Sequence, residues 1–149
     1  RQLGLGGGPA AGLMAGLSMP DTTAAAPGMA KPTILVVEDE VPLLTLLRYN
    51  LEKQGFRVDE AGDGEEALLR VSEGRPDLVL LDWMLPALSG IEVCRQLRRR
   101  PGTRDLPIIM VTARTEDQDA FRALDTGAHD YISKPCAMDS LMARIRALL

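Results

Sequence analysis

Polar side chains follow four of the short apolar runs in this chain, each at the point where the run ends. Glu38 and Asp39 come directly after TILVV, and Asp82 follows DLVLL. Thr112 follows PIIMV, and Lys134 comes just after DYIS. If the runs are parallel strands, their carboxyl ends meet at one edge of the sheet. Three carboxylates, a hydroxyl and an ammonium then converge from four separate segments.

These residue types together favour phosphoryl chemistry that depends on a cation. Crowded carboxylates raise one another's pKa unless a cation keeps them ionised, and all-oxygen ligands suit Mg²⁺. A carboxylate in such a site can accept a phosphoryl group as an acyl phosphate, with Lys134 and Thr112 contacting the phosphoryl oxygens. No glycine-rich nucleotide-binding fingerprint occurs in residues 31–149. The phosphoryl donor is therefore expected to be another molecule.

Each of these residues also has an ordinary structural alternative. Glu38 and Asp39 precede a predicted helix that acidic residues could cap, and Thr112 could cap the next one. Asp82 could be a turn residue, and Lys134 a solvated lysine. Capping does not predict a lysine, or an acid at the ends of the strands that flank the point where strand order reverses, so the shared site is the preferred interpretation.

The elements that must position these residues alternate regularly along the chain. The apolar runs predict five strands, at Thr33–Val37, Phe56–Glu60, Asp77–Leu81, Pro107–Val111 and His129–Ile132. Amphipathic stretches predict helices at Val41–Gln54, Gly64–Glu73, Ile91–Arg99, Thr115–Thr126 and Asp139–Leu149. Such alternation predicts an α/β fold, (βα)5, with a doubly wound five-stranded parallel sheet and helices on both faces.

Length and composition limit the possible classes of protein. The chain has 149 residues, is 46% hydrophobic and carries a net charge of −4, which suits one globular domain and excludes a disordered or integral membrane protein. The negative charge argues against nucleic-acid binding by this segment alone. Cys94 and Cys136 are far apart in the sequence and have no His or Cys nearby at ligand spacing, so neither a disulfide scaffold nor a zinc site is expected. This use of cysteine predicts a cytoplasmic location.

The first thirty residues differ from the rest. They contain half of the 14 glycines and show no hydrophobic periodicity. We expect residues 1–30 to be a flexible leader or a segment derived from an expression tag, with a domain over residues 31–149.

Four motifs, VVEDE, LLDWMLPALSG, MVTAR and YISKP, resemble in order and spacing those of the receiver domain of bacterial two-component response regulators. The resemblance covers residues 32–149 and is strongest to the OmpR subfamily, phosphate-regulon type. It implies a flavodoxin-like fold, Mg²⁺ as cofactor and a sensor histidine kinase as phosphodonor. Longer relatives continue into a C-terminal DNA-binding domain, which this sequence lacks, so transcription regulation is expected of the full-length protein. A stand-alone receiver is the alternative.

The resemblance also assigns roles to individual residues. Asp82 is the expected phosphoacceptor, Asp39 a direct Mg²⁺ ligand, Glu38 a ligand through water, and Met84 a ligand through its main-chain carbonyl. Thr112 and Tyr131 match the family's switch pair, Lys134 its phosphate-contacting lysine, and Pro135 a proline preceded by a cis bond. Two positions depart from the subfamily, which has phenylalanine at Cys136 and an acidic residue at His129.

A dimer face is implied as well, on the fourth helix, fifth strand and fifth helix. Its expected members are an apolar patch and a cross-subunit ion pair, formed by Phe121, Leu124 and Met142 and by Asp130 and Arg144, respectively. A second ion pair of the subfamily is missing, because Ala120 and Ser140 occupy its positions. The sequence therefore predicts a phosphorylation-promoted dimer that is weaker than usual and not strongly salt-sensitive.

Two other function classes remain open on the residues alone. A haloacid-dehalogenase-type phosphatase also uses an aspartyl nucleophile after a strand, but it needs a second aspartate at the position of Met84. A flavodoxin-type cofactor binder needs a phosphate-binding loop after the first strand, which is lacking. We therefore expect no enzyme beyond a domain that promotes its own Mg²⁺-dependent phosphorylation and dephosphorylation.

Overall fold

The computed structural model describes residues 31–113, 116–134 and 137–149. The predictions made for residues 1–30, Pro135 and Cys136 lie outside these residues. The strands are β1 (Thr33–Val37), β2 (Arg57–Ala61), β3 (Leu78–Leu81), β4 (Ile108–Thr112) and β5 (Asp130–Ser133). The helices are α1 (Val41–Lys53), α2 (Gly64–Gly74), α3 (Gly90–Arg99), α4 (Asp117–Thr126) and α5 (Met138–Leu148), with a 3₁₀ turn at Pro101–Thr103.

All five strands are parallel and form one sheet in the order β2-β1-β3-β4-β5. Strand order reverses at β1, because the chain moves from β1 to β2 on one side and then returns to β3 on the other. This arrangement confirms the predicted doubly wound α/β fold. It places the carboxyl ends of β1 and β3 side by side at the reversal point, where ligands bind in sheets of this kind.

The core consists of two apolar layers, one on each face of the sheet. Alternate residues of β1 show the division, since Ile34 and Val36 belong to the layer under α1 and α5, whereas Leu35 and Val37 belong to the layer under α2 and α3. Successive side chains of a strand point to opposite faces. Strands covered on both sides are therefore nearly continuous in apolar residues, as the sequence of β3 is.

The strands β2, β3, β4 and β5 each begin one residue later than predicted. At β2 the cause is visible, because the Phe56 N–H bonds back to α1 instead of joining the sheet. The Phe56 N–H donates to the Leu51 carbonyl (3.1 Å), and the Gly55 N–H donates to the Glu52 carbonyl (3.0 Å). Gly55 has a φ of 94°, the left-handed conformation that this helix termination requires. Phe56 then packs in the same core layer as Leu51.

Two other features of the described part of the chain bear on the predictions. None of the described helices has the length and apolar character needed to cross a membrane. Cys94 is a free cysteine, fully buried on α3.

Candidate functional site

Backbone hydrogen bonds beyond the strand ends hold the predicted site residues at the carboxyl edge of the sheet. The Asp82 N–H donates to the Val37 carbonyl (3.1 Å), which extends the β1–β3 pairing to the first residue after β3. The Lys134 N–H donates to the Thr112 carbonyl (2.8 Å) and does the same for β4 and β5. Sheet pairing therefore positions the backbone from which these side chains project.

The three predicted acids lie together, and the predicted lysine joins two of them. Carboxylate oxygens of Glu38, Asp39 and Asp82 all lie within 4.8 Å of one another. Lys134 Nζ is 2.8 Å from Glu38 Oε1 and 2.9 Å from Asp82 Oδ2. One ammonium thus bridges carboxylates that come from two neighbouring strands.

Burial and the neighbouring charges have opposite effects on the pKa values in this cluster. Glu38 is 3% exposed and Asp82 is 5% exposed. Burial raises the pKa of Glu38, and its hydrogen bonds to Lys134 and the Glu40 N–H offset only part of that effect. Burial alone would lower the pKa of Lys134, but the hydrogen bonds to Glu38 and Asp82 outweigh it, so the pKa is raised. The lysine is therefore protonated at neutral pH and supplies the positive charge that the acids need.

A shallow cavity of about 220 Å³ opens beside Asp82. Asp39 lines it together with Met84 and Ala113, and Lys134 forms part of its wall. Ala113 is small and follows Thr112, so this side of the cavity holds no bulky side chain. The arrangement leaves room at the Asp82 carboxylate for a group the size of a phosphoryl.

The loop after Asp82 is held by close backbone packing at Gly90. The Gly90 N–H donates to the Trp83 carbonyl (2.8 Å). A Cβ atom at Gly90 would lie 2.1 Å from the Asp82 carbonyl oxygen, which is closer than any real contact. Only glycine therefore allows the start of α3 to pack directly on the backbone of Asp82. The Met84 N–H also donates to Asp82 Oδ1 (3.2 Å), which orients the carboxylate.

Thr112 and Tyr131 lie on the sheet face that α3 and α4 cover. Thr112 follows Met110 by two residues on β4, and Met110 belongs to that layer, against which Tyr131 packs. Thr112 is fully buried, and its Oγ1 has no hydrogen-bond partner among the described residues. A buried hydroxyl without a partner is costly, so it is a group that an incoming oxygen could satisfy.

The donor set fits a hard divalent cation. Glu38, Asp39 and Asp82 offer only oxygen ligands, and Asp39 is exposed at the mouth of the cavity. Mg²⁺ binds through one or two carboxylates and retains several waters, which such an open cluster permits. The unpartnered Thr112 hydroxyl and the Lys134 ammonium complete a surface suited to a phosphoryl group.

The predicted dimer face is only partly as expected. Phe121 and Leu124 on α4 are 73% and 47% exposed. Met142, in contrast, is 4% exposed and packs in the layer under α1 and α5, so its assignment to the surface patch is wrong. Arg144 Nη1 lies 2.7 Å and 2.8 Å from the two carboxylate oxygens of Asp130 in the same chain. The residues expected to pair across subunits are thus already paired within one chain.

Two features of the site were not predicted. Glu40 Oε1 lies 3.4 Å from Lys134 Nζ, and Glu40 lines the cavity beside Asp39. The run of three acids after β1 was the available signal, but acidic residues are also common just before a helix, so the run alone does not single out Glu40. The second feature is a cation–π contact between Arg122 of α4 and the Trp83 ring.

His129 lies at the opposite edge of the sheet, just before β5. Its Nδ1 is 3.1 Å from Arg98 Nη2 and accepts from the Ile108 N–H (3.3 Å). Both neighbours are donors, so the contact requires the neutral ring with Nδ1 unprotonated. Burial, followed by the charge of Arg98, lowers the pKa of His129, and Asp105 opposes this effect.

Comparison with known proteins identifies the class that this fold and site define. Residues 34–146 match the response regulator receiver domain family, and the chain belongs to that family. The phosphatase and flavodoxin alternatives are thereby set aside. Among its relatives is the phosphate regulon transcriptional regulatory protein PhoB of Rhizobium meliloti, which is 58% identical over 118 residues. That match covers 79% of this chain and 52% of the relative, so the chain spans about half the length of such relatives.

Solved structures agree with this assignment. A putative response regulator from Chloroflexus aurantiacus superposes with a TM-score of 0.77 at 32% identity, covering 80% of this chain and 98% of that one. The receiver domain of the sensor histidine kinase PA1611 from Pseudomonas aeruginosa gives a TM-score of 0.74 at 32% identity, with the same coverage. That structure has a magnesium ion coordinated in its active-site cleft.

Proposed function

We propose that Asp82 accepts a phosphoryl group from a phosphohistidine of a partner sensor histidine kinase. The observation that carries this proposal is the placement of Asp82. It directly follows the central strand β3, its Oδ2 lies 2.9 Å from Lys134 Nζ, and its carboxylate opens onto a cavity beside two further acids. Glu38 shares the cluster and the lysine (2.8 Å), but it does not line the cavity, whereas Asp82 does.

The transfer is a displacement at phosphorus. A carboxylate oxygen of Asp82 forms the new O–P bond while the N–P bond of the phosphohistidine breaks, and the leaving imidazole takes up a proton. Lys134 neutralises charge on the phosphoryl oxygens, and the Thr112 hydroxyl donates to one of them. Glu38, Asp39, Asp82 and the Met84 main-chain carbonyl would hold Mg²⁺, whose charge balances that of the acids and the phosphoryl oxygens.

Dephosphorylation reverses the state of the domain by attack of water on the same phosphorus. The O–P bond to Asp82 breaks, and inorganic phosphate leaves. Over both reactions one phosphoryl group passes from the kinase histidine to Asp82 and then to water, and Asp82 is the residue of this chain that changes. We therefore class the domain as a switch that promotes its own phosphorylation and dephosphorylation rather than as a phosphatase of external phosphomonoesters.

The signal is proposed to pass from Thr112 to Tyr131 and then to the face formed by α4, β5 and α5. When the Thr112 hydroxyl turns toward the phosphoryl group, it vacates space on the face of the sheet where Tyr131 packs. Inward movement of the Tyr131 ring then changes the surface beside Asp130, Phe121 and Leu124. We propose that this surface closes a two-fold homodimer.

For the whole protein, we propose a cytoplasmic transcription regulator of the phosphate-regulon type. The support is the 58% identity to a protein named PhoB, about half of which this chain spans. The remainder of such a protein is proposed to be a DNA-binding output domain that dimerisation of the receiver controls. A stand-alone receiver has no specific observation in its favour.

Incubation of the chain with acetyl phosphate and Mg²⁺ tests the phosphoacceptor. We expect one added phosphoryl group by intact-mass analysis, and none after chelation of the metal or in Asp82→Asn. Asp105→Asn, at the opposite edge of the sheet, is the matched control and should be phosphorylated like the unaltered chain. Equal phosphorylation of Asp82→Asn would overturn the assignment.

A further inference from the structure

A second cavity lies at the amino-terminal edge of the sheet, between the carboxyl ends of α2 and α3. Its volume is about 520 Å³, more than twice the 220 Å³ of the cavity beside Asp82. Val71 and Pro76 are buried and line it together with Leu106. Its size and partly apolar lining are those of a pocket for a small organic molecule.

Two arginines give this cavity its charge. Arg75 and Arg100 both line it, and no acidic residue does. Within the described part of the chain, neither guanidinium takes part in a hydrogen bond or ion pair. Arg48, Arg70 and Arg95, in contrast, each pair with a carboxylate. Arg75 and Arg100 therefore remain available to a ligand.

The backbone at Arg75 is unusual for a residue with a side chain. Arg75 is the C-cap of α2 and has φ 46° and ψ 61°, in the left-handed region. Glycine adopts this conformation at lower cost, and the preceding residue, Gly74, lies within the helix. Unfavourable backbone geometry of this kind is retained where the surrounding structure or a function requires the side chain.

Hydrogen bonds connect the opposite wall to α3. Thr103 Oγ1 donates to the Leu97 carbonyl (2.7 Å), and Arg98 Nη1 donates to the Thr103 carbonyl (3.2 Å). The Leu106 N–H also donates to the Thr103 carbonyl (3.2 Å). These bonds connect the turn that carries Arg100 and Leu106 to α3, and the cavity is present without a ligand.

We propose that this cavity binds a small amphipathic carboxylate. Its apolar body would lie on Val71 and Leu106, and its carboxylate between the guanidiniums of Arg75 and Arg100. The planar guanidinium matches a carboxylate in charge and geometry. The carboxyl ends of two helices repel an anion by themselves, so binding depends on the two arginines.

Titration of the ¹⁵N-labelled chain with 4-phenylbutyrate, followed by amide chemical shifts, tests this proposal. We expect saturable shifts for residues 71–75 and 102–106, with tighter binding than 4-phenyl-1-butanol, which lacks the charge, and than acetate, which lacks the apolar body. Arg75→Gly should weaken binding about tenfold, the loss expected for one charge-assisted hydrogen bond. Glycine suits the left-handed position, so this variant should fold at least as well.

Two controls separate this site from general charge effects and from the phosphoacceptor. Arg104→Gln removes an exposed arginine that does not line the cavity and should leave binding unchanged. Asp82→Asn should also bind 4-phenylbutyrate normally, because it alters only the opposite edge of the sheet. The proposal is overturned if no saturable shifts occur, if the alcohol binds as tightly as the acid, or if Arg104→Gln weakens binding as much as Arg75→Gly.

Discussion

The Arg122 guanidinium carbon lies 5.7 Å from the centroid of the Trp83 ring. Trp83 is 7% exposed and directly follows Asp82, whereas Arg122 belongs to α4. A cation over the face of an indole is attracted to the ring and alters its electronic surroundings. The residue next to the proposed phosphoacceptor thus contacts the helix that is proposed to carry the signal.

The single tryptophan should report both steps of activation. We expect Mg²⁺ to change Trp83 emission and acetyl phosphate to add a further change, because charge is added next to the ring in each case. Asp82→Asn should lose the second change while Arg122→Gln, which removes the cation, should shift the starting emission. A phosphodonor response that persists in Asp82→Asn would show that emission does not follow the proposed phosphorylation.

Replacement of Lys134 should separate the chemistry from the signal. In Lys134→Ala, Asp82 loses its ammonium partner at 2.9 Å, and we expect slower phosphorylation by on the order of a hundredfold. Once phosphorylated, the variant should fail to dimerise, because no cation ties the phosphoryl group to β5. Phosphate-affinity gels measure the first effect and sedimentation the second. Lys53→Ala removes an exposed lysine on α1 as the control, and wild-type behaviour of Lys134→Ala in both assays would contradict this role.

The dimer should depend more on Phe121 than on Arg144. Arg144 already pairs with Asp130 within one chain, so dimerisation exchanges one ion pair for another and gains little. An exposed pair contributes only about 0.2–1 kcal/mol in any case. We therefore expect Phe121→Asp to abolish the beryllofluoride-induced dimer and Arg144→Ala to weaken it slightly. Sedimentation at several salt and protein concentrations measures this, and a dimer that survives Phe121→Asp would place the interface elsewhere.

Acid should destabilise the fold through His129. The lowered pKa of His129 in the folded chain means that the unfolded chain binds the proton more readily. The stabilisation is therefore present above the unfolded pKa of about 6.5 and is lost as the pH falls below it. His129→Asn retains an acceptor for Arg98 but cannot titrate, so its urea midpoint should fall less between pH 7 and pH 5. Parallel midpoints for the two proteins would refute this contribution.

The order and type of the five strands and five α-helices follow from the sequence pattern, whereas the 3₁₀ turn at Pro101–Thr103 was not predicted. Apolar runs indicate strands covered on both faces, and the helices show their period clearly. The shifted start of β2 depends on hydrogen bonding rather than on hydrophobicity. Phe56 is as apolar as a strand residue, but its N–H closes α1, and a pattern of residue types does not contain that information.

The grouping of the site was predictable to a similar degree. Parallel strands bring their carboxyl ends together, so Glu38, Asp82 and Lys134 could be expected to meet. Contacts between side chains on different elements were harder to predict from the sequence. A methionine such as Met142 can belong to a surface patch or to a core. Only the packing of α5 on the sheet shows that Met142 is buried.

The strand order places the proposed phosphorylation site and the proposed dimer face in different parts of the domain. Asp82 follows β3, which has a strand on each side, whereas α4, β5 and α5 lie toward the edge that β5 forms. Substitutions at Phe121 or Leu124 change exposed atoms and leave the packing beneath Asp82 untouched. After gene duplication, two copies of such a domain can therefore diverge in their partners and avoid cross-talk while both retain the same reactive aspartate.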